Sequence, residues 1–435
     1  MSFQKTVLPN GLILATDHVP GSKGVAIRLI LRSGSRHEDV QGALHFMEHL
    51  LGSSLMLNGQ ESYHFLKTIT NEINFFTGKE GLEIKVDTLP QFVPAVMDAI
   101  SHILTGPRWS VEARERERAR ILGEYAEDEG KPDTKARVKF WEYALGEHPL
   151  APRILGTPET IASMSEEILR DTMKRHVCAQ RMAVFISGSL SHEQSLRDCA
   201  GPLGAIASGT PVPAQLAPRF APPRTVFEKH GDDTQLTTLV LPYDLRAKNS
   251  VKRPAVAAIS NLYLEYLNKM ISDMALNYSG AVGDYVEFSD MAYLAAQFNG
   301  EAQNAGNLAA LAYGCFLKPE HWLTRNKFEL MKLGWQMNDA FTGADPRVRA
   351  GFMSSRFERS GQVLSYETID SDYETLSFEE VLAAYHLFDP RKVYIYSQGP
   401  NGDLPRPEDL TEMFAEELQA LRAETVAPAF EVAIG

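Results

Sequence analysis

Hydrophobic and polar positions change their period several times along the first half of the chain, and each change predicts an element. Leu8-Pro9-Asn10-Gly11 ends on Asn-Gly, a pair that favours a tight hairpin turn, so an opening hairpin is expected around residues 10–11. Residues 24–31 follow as a nearly unbroken apolar run, interrupted only by Arg28, which predicts a buried strand. Helical spacing begins at Gly42-Ala43-Leu44 and runs to Gly52, and a further helix is expected at 60–68. Residues 73–77 and 82–88 read as extended, the latter alternating Leu-Glu-Ile-Lys-Val-Asp. Helices are predicted over 90–104, 110–129, 134–145 and 164–177, ahead of a closing strand at 181–187. Strands interspersed with longer helices predict the α+β class, a sheet carrying helices on one face.

The pattern repeats. Adding 210 to Ile27–Leu31 lands on Thr237–Leu241, and adding 210 to Arg181–Ser187 lands on Arg391–Ser397, so two strands near opposite ends of each half are expected to share one register. Between the copies runs a proline-rich stretch that sustains neither helix nor central strand. The expected organisation is therefore an N-terminal domain at 1–208, a linker at 209–223 and a homologous domain at 224–435.

Candidate chemistry sits in His45-Phe46-Met47-Glu48-His49. Positions i and i+4 share one helix face, so both imidazoles can reach one metal ion with Glu48 beside it. A catalytic zinc takes three protein ligands and keeps one position for water, whose pKa falls to about 7. A neighbouring carboxylate can accept that water's proton. The order is the inverse of His-Glu-x-x-His, and both orders are peptidase signatures. Two surface histidines on an amphipathic helix would carry the same letters. A third ligand has to come from elsewhere, and the charged segment Glu112–Glu124 offers Glu117 and Glu124, seven residues apart on one helix face. Alone, that segment reads equally as a solvated helix laced with i, i+3 and i+4 ion pairs. At the 210 offset His45, Glu48 and His49 become Ala255, Ala258 and Ile259, while Glu117 and Glu124 become Lys327 and Gly334. Restriction of all five to one copy suits a chemical role better than a structural one.

Together these residues resemble the pitrilysin/insulysin family of inverted zincins, which includes the mitochondrial processing peptidases. The likeness rests on the pentapeptide, on Glu124 following His49 by 75 residues, and on Glu117. His148-Pro149-Leu150 with Ile154-Leu155-Gly156-Thr157, the Leu8–Gly11 turn and Asn74-Phe75-Phe76-Thr77 add to it. It is strong over residues 1–190 and much weaker beyond. The resemblance implies one Zn2+ per chain on His45, His49 and Glu124, with Glu48 as general base. It implies Glu117 as a further carboxylate of the catalytic group, orienting a ligand. Asn74, Phe75, Phe76 and Thr77 would form an edge strand on which substrate adds through main-chain bonds, although Asn74 reads equally as an ordinary turn or strand-edge residue. Phe46 reads as the floor of a side-chain pocket or, at least as well, as a plain core aromatic. Two homologous domains of this kind form half of a clamshell around a peptide. Catalytically complete relatives also place an Arg and a Tyr from the second half over the zinc. No arginine stands between Arg253 and Arg325 here, and Tyr278 and Tyr285 are the tyrosine candidates. A homologous partner subunit is therefore expected to supply the Arg/Tyr pair, as in paired half-length relatives.

Composition narrows the setting. The 435 residues, 44% hydrophobic and 23% charged, describe a globular chain long enough for two or three domains. No run reaches the roughly 20 apolar residues of a membrane span. Residues 1–6 open neither a signal peptide nor an Arg-rich transit peptide, so a cytoplasmic protein is expected. Cys178, Cys199 and Cys315 are an odd set without metal-type spacing and read as reduced thiols. A net charge of -13 argues against nucleic acid. The expectation is a zinc endopeptidase cleaving peptides or a small precursor as the catalytic subunit of a heterodimer. It stands against a core subunit that binds peptide without turnover, and against a zinc enzyme hydrolysing other bonds.

Overall fold

The computed structural model of the chain describes residues 2–57, 60–106, 109–213, 219–231, 234–243, 253–274 and 282–426. Part of the expected linker, 214–218, and Tyr278 lie outside the described residues. Two compact units are present. The first comprises Met1–Lys131, Glu147–Leu216 and Gln336–Ser371, and the second Pro132–Gly146, Ala217–Trp335 and Asp372–Gly435.

The first unit holds six strands, β1 (Ser2–Val7), β2 (Ile13–His18), β3 (Val25–Leu31), β4 (Thr70–Thr77), β5 (Leu82–Thr88) and β6 (Met182–Gly188), in the order β1-β2-β6-β3-β5-β4. The opening hairpin turns through Gly11, whose φ of 94° suits a residue without Cβ. All seven residues of β3 are buried, as expected of a central strand, and Arg28 is tolerated there because Asp87 on β5 meets it at 2.8 Å. Ile27, Leu29, Ile84, Val86, Val184 and Ile186 face a helical layer that includes Ala43–Leu57, Val93–Thr105, Val111–Glu129, Glu166–His176 and His192–Gly204. The opposite face is not bare. Ile30, Ala183 and Phe185 pack against Met353 and Phe357 of the helix Pro346–Ser360, and the buried Arg349 of that helix meets Asp17 on β2 at 2.5 Å. The expected single helical layer is thus joined by a helix on the other face, which the local pattern did not place.

In the second unit β7 (Thr225–Lys229), β8 (Thr234–Tyr243), β9 (Val282–Glu287), β10 (Ala292–Glu301) and β11 (Tyr394–Gly399) form a sheet ordered β7-β11-β8-β10-β9. One face buries Leu239, Leu241, Leu294 and Ile395 against helices such as Arg253–Asp273 and Ala305–Phe316. The other is covered by Pro132–Leu145, with Ala136 on Leu236 and Tyr396, and Phe140 edge-on to Tyr293 at 4.8 Å.

Five strands correspond one for one, β2-β6-β3-β5-β4 with β7-β11-β8-β10-β9, including a parallel outer pair in each. The single 210 offset needs correction, however. It carries β3 onto β8 in phase, but Leu29 lies opposite Val184 whereas Leu239 lies opposite Ile395, so β6 maps onto β11 at 211. Matching Ala183 to Val393 paired residues from opposite faces, because a one-residue slip inverts every side chain of a strand.

Candidate metal centre

The helix Ala43–Leu57 is held at its start by a side chain outside it. Glu38 accepts from the backbone N–H of Gly42 at 2.6 Å and of Leu44 at 2.9 Å, serving amides that have no partner within the helix. Burial pushes that carboxyl up to about 7, the backbone bonds opposing the shift. Gly42 has φ 85°, and a Cβ there would lie 2.5 Å from the carbonyl oxygen of Leu155. Leu44, Met47, Leu50 and Leu51 sink into the core, while His45 and His49 reach toward the helix Val111–Glu129 and Glu48 toward Thr77 at the end of β4. Ser110 caps that second helix, accepting from the Ala113 N–H. Ala113, Glu117 and Ile121 are its buried stripe, so a carboxylate occupies a core-facing position at the middle step.

The three candidate ligands converge. His49 Nε2 is 3.3 Å and His45 Nε2 3.7 Å from the same oxygen, Glu124 Oε2, and one ligand atom from each of the three lies within 4.8 Å of the others. Tetrahedral ligands about 2.1 Å from a zinc ion stand about 3.4 Å apart, so the two nitrogen–oxygen spacings and the N2O donor set fit zinc. Burial, followed by the neighbouring His49 and Arg120, lowers the His45 pKa to about 3, which favours the neutral imidazole a metal requires. The other nitrogen of His49, Nδ1, is 3.3 Å from Glu117 Oε2, the carboxylate contact that orients a ligating imidazole. Ser53 donates to the second oxygen of Glu117 at 2.5 Å. Arg120 stands 3.9 Å from Glu117 and 3.5 Å from Glu124, and Arg116 3.4 Å from Glu117. Glu48 Oε2 is 3.9 Å from His45 Nε2 and accepts from Thr77 Oγ1 at 3.2 Å. Burial pushes the Glu48 carboxyl up to about 8; Thr77 opposes the shift, while Glu124 adds to it.

Four of the residues expected on the substrate side divide. Asn74 is exposed on β4, the last strand of its sheet, and accepts from the Phe75 N–H; Phe76 is 57% exposed. Phe75 leans on the core, and Thr77 is buried with its hydroxyl on Glu48 rather than open to a substrate. Phe46 is fully buried in the core with the Arg118 guanidinium 5.5 Å from its ring, which favours the core aromatic of the two readings. Ser53, Arg116, Arg120 and Glu38 were not anticipated. Ser53 follows His49 by four residues, and that spacing on one helix face was the available signal. In the second unit Tyr285 packs against the core from β9. Ala255, Ala258 and Ile259, the counterparts of the motif, are core residues.

Residues 13–158 match the family described as Insulinase (Peptidase family M16). An uncharacterized zinc protease of Mycobacterium leprae is 28% identical over 193 residues, 44% of this chain and 43% of that protein. The mitochondrial-processing peptidase subunit beta of Saccharomyces cerevisiae is 29% identical over 210 residues, 47% and 46% of the two chains. The probable subunit beta of Schizosaccharomyces pombe reaches 30% over 244 residues, 55% and 53%. The chain thus spans about half the length of the curated relatives it matches. A peptidase M16 inactive domain from Pseudomonas fluorescens superposes with a TM-score of 0.81 at 14% identity, covering 93% of this chain and 99% of that one. A protease from Helicobacter pylori gives 0.78 at 12%, covering 92% and 99%. These solved structures speak for the α+β, two-domain fold alone.

Proposed function

We propose that this chain, whose residues 13–158 carry an insulinase-type domain of peptidase family M16, is the metal-bearing subunit of a zinc-dependent endopeptidase. The observation that carries the reading is the meeting of His45 and His49 with Glu124 on one side and Glu48 on the other. A zinc ion there would act as Lewis acid and bring the pKa of a water to about 7. His45, His49 and Glu124 would hold the ion. Glu117 keeps the His49 proton on Nδ1 and so leaves Nε2 free to ligate. Glu48 takes the proton of the attacking water and hands it to the departing amine. A cation beside Glu48 counters the burial that raises its pKa and so favours the ionised base at neutral pH. The open edge of β4 would receive the peptide by main-chain pairing, with Asn74 and Phe76 outward.

A homologous partner would supply the Arg/Tyr pair. The arginine-free stretch between Arg253 and Arg325 supports this, as do relatives named as subunits of a processing peptidase. The same gap favours a second reading, a core subunit that binds peptide without turnover. The test is co-purification from the native cell, followed by zinc analysis and cleavage of an internally quenched mixed-sequence peptide pool. Glu48→Gln is expected to keep its zinc and lose cleavage by about 100- to 10,000-fold. Full cleavage by that variant removes Glu48 as base. Equal cleavage by the chain alone and by its mixture with the partner removes the heterodimer, and stoichiometric zinc without turnover in either favours the second reading.

A further inference from the structure

Thr77 sits where two structural mounts meet. It ends β4, the outermost strand of the first sheet, and is 4% exposed. Its hydroxyl donates to Glu48 Oε2 at 3.2 Å, across from a helix 20 or more residues earlier in the chain. Both ends of that bond are fixed by one short segment. Ser35 and Arg36 donate backbone N–H bonds of 3.0 Å to the carbonyls of Gly78 and Lys79, in the turn directly after Thr77. Arg36 also meets Glu80 at 2.6 Å. Two residues on, Glu38 holds the first amides of the helix that bears Glu48. Gly34 lets the segment lie flat on the turn: a Cβ there would fall 2.5 Å from Gly78 O and from Glu80 N, closer than backbone atoms permit. The position of the strand end relative to the carboxylate is therefore set by a brace of a few residues, and the Thr77 hydroxyl is the bond that closes it.

We propose that Thr77 is the positioning residue for Glu48, holding one oxygen of that carboxylate so that the peptide-accepting strand and the proton-accepting group keep one geometry. The inference rests on the peptidase reading and deepens it. Thr77 keeps its own proton throughout. By bonding Oε2, the oxygen that also stands 3.9 Å from His45 Nε2, it restricts rotation of the carboxylate and keeps that oxygen on the side of the candidate ligands, where its remaining lone pair can take the water's proton. A carboxylate on three rotatable bonds loses that aim when the hydroxyl is removed, and misplacement of a reacting group by about 1 Å costs up to about 100-fold. The role differs from substrate contact, since a buried hydroxyl already bonded to Glu48 has little to offer a peptide.

The test compares Thr77→Val, which keeps shape and burial without the donor, with Thr77→Ser, which keeps the donor, in the co-purified protein with the same peptide pool. Thr77→Val should retain wild-type zinc content and melting temperature, lose about 10- to 100-fold in kcat, and leave KM within about twofold. Thr77→Ser should recover most of the loss. Peptide affinity, measured in the Glu48→Gln background, should not change when Thr77→Val is added. A Thr77→Val protein with wild-type kcat overturns the proposal. So does a loss of peptide affinity in the Glu48→Gln background, which would make Thr77 a substrate contact. Failure of Thr77→Ser to recover activity assigns the defect to packing and overturns it as well. If Glu48→Gln itself cleaves normally, the mechanism fails first, and that outcome is distinguishable because it does not involve Thr77.

Discussion

Replacing Glu117 by Gln removes one charge from the back of the candidate metal centre and almost no volume. Glu117 is 3% exposed, with one oxygen 3.3 Å from His49 Nδ1 and the other accepting from Ser53 at 2.5 Å. Because His49 Nε2 points at Glu124, the ring proton belongs on Nδ1, and the Glu117 carboxylate raises the basicity of the imidazole through it. In the variant the amide oxygen can still accept from Nδ1 and Ser53 can accept from the amide nitrogen, so the contacts survive without the charge. A charge-assisted bond contributes about 1.5–3 kcal/mol against about 1 for a neutral one. Loss of the difference, about 1–2 kcal/mol, predicts zinc binding weakened by about 5- to 30-fold. Stability of the metal-free protein should change little. The cations nearest Glu117, Arg116 and Arg120, have side chains 54% and 66% exposed and can be solvated when it is neutralised. The assay is competition for zinc against a chromophoric chelator, with circular dichroism and thermal melting of the metal-free form as controls. Zinc affinity within about twofold of wild type, in a protein that melts normally, would refute the assignment of Glu117 as the group that orients His49.

Two further outcomes follow from burial. Phe46→Ala should destabilise the protein by about 3–5 kcal/mol in denaturant titrations and leave KM unchanged for the folded fraction, whereas normal stability with a raised KM would return Phe46 to a substrate pocket. Glu38 keeps its proton to about pH 7 in the folded state against an ordinary value of 4.5, so between those values the native state binds more protons than the unfolded one. Its contribution to stability is therefore greatest at acid pH and declines as pH rises through that window, and wild type should lose stability relative to Glu38→Gln there; parallel curves for the two proteins would contradict it.

How much the residues disclosed beforehand depended on distance along the chain. His45, Glu48 and His49 meet because helix geometry is local, and a spacing of four is enough to infer a shared face. Glu124 is 75 residues away from His49, and only resemblance to a family could choose it over Glu117, since helix packing decides which turn of the charged segment reaches the histidines. Ser53 lay within reach of the same periodic argument but carries no chemical signature of its own. Thr77 falls on the substrate side only through the resemblance of Asn74–Thr77 to a family edge strand; that its hydroxyl turns inward to Glu48 depends on where the helix lies behind it. Phe46 keeps two readings in the sequence because an aromatic between two candidate ligands can point either way until the third face of the helix is known. The strand register failed by one residue for a similar reason. Strands such as β6 and β11 are buried on both faces and give no apolar–polar alternation to fix their phase.

Arg349 and Asp17 meet across 332 residues of chain, and with Met353 and Phe357 they complete the back of the first sheet. At synthesis rates of about 5–20 residues per second, Ile30 waits roughly 15 to 70 seconds before that cover emerges. A fragment ending anywhere in 209–223 never receives it, and would carry an apolar sheet face into solution. The candidate ligand set lies on the opposite face and is complete once Glu124 has been made. The growing chain thus holds all three candidate ligands long before the sheet behind them is sealed, and it carries an open apolar sheet face through the interval between.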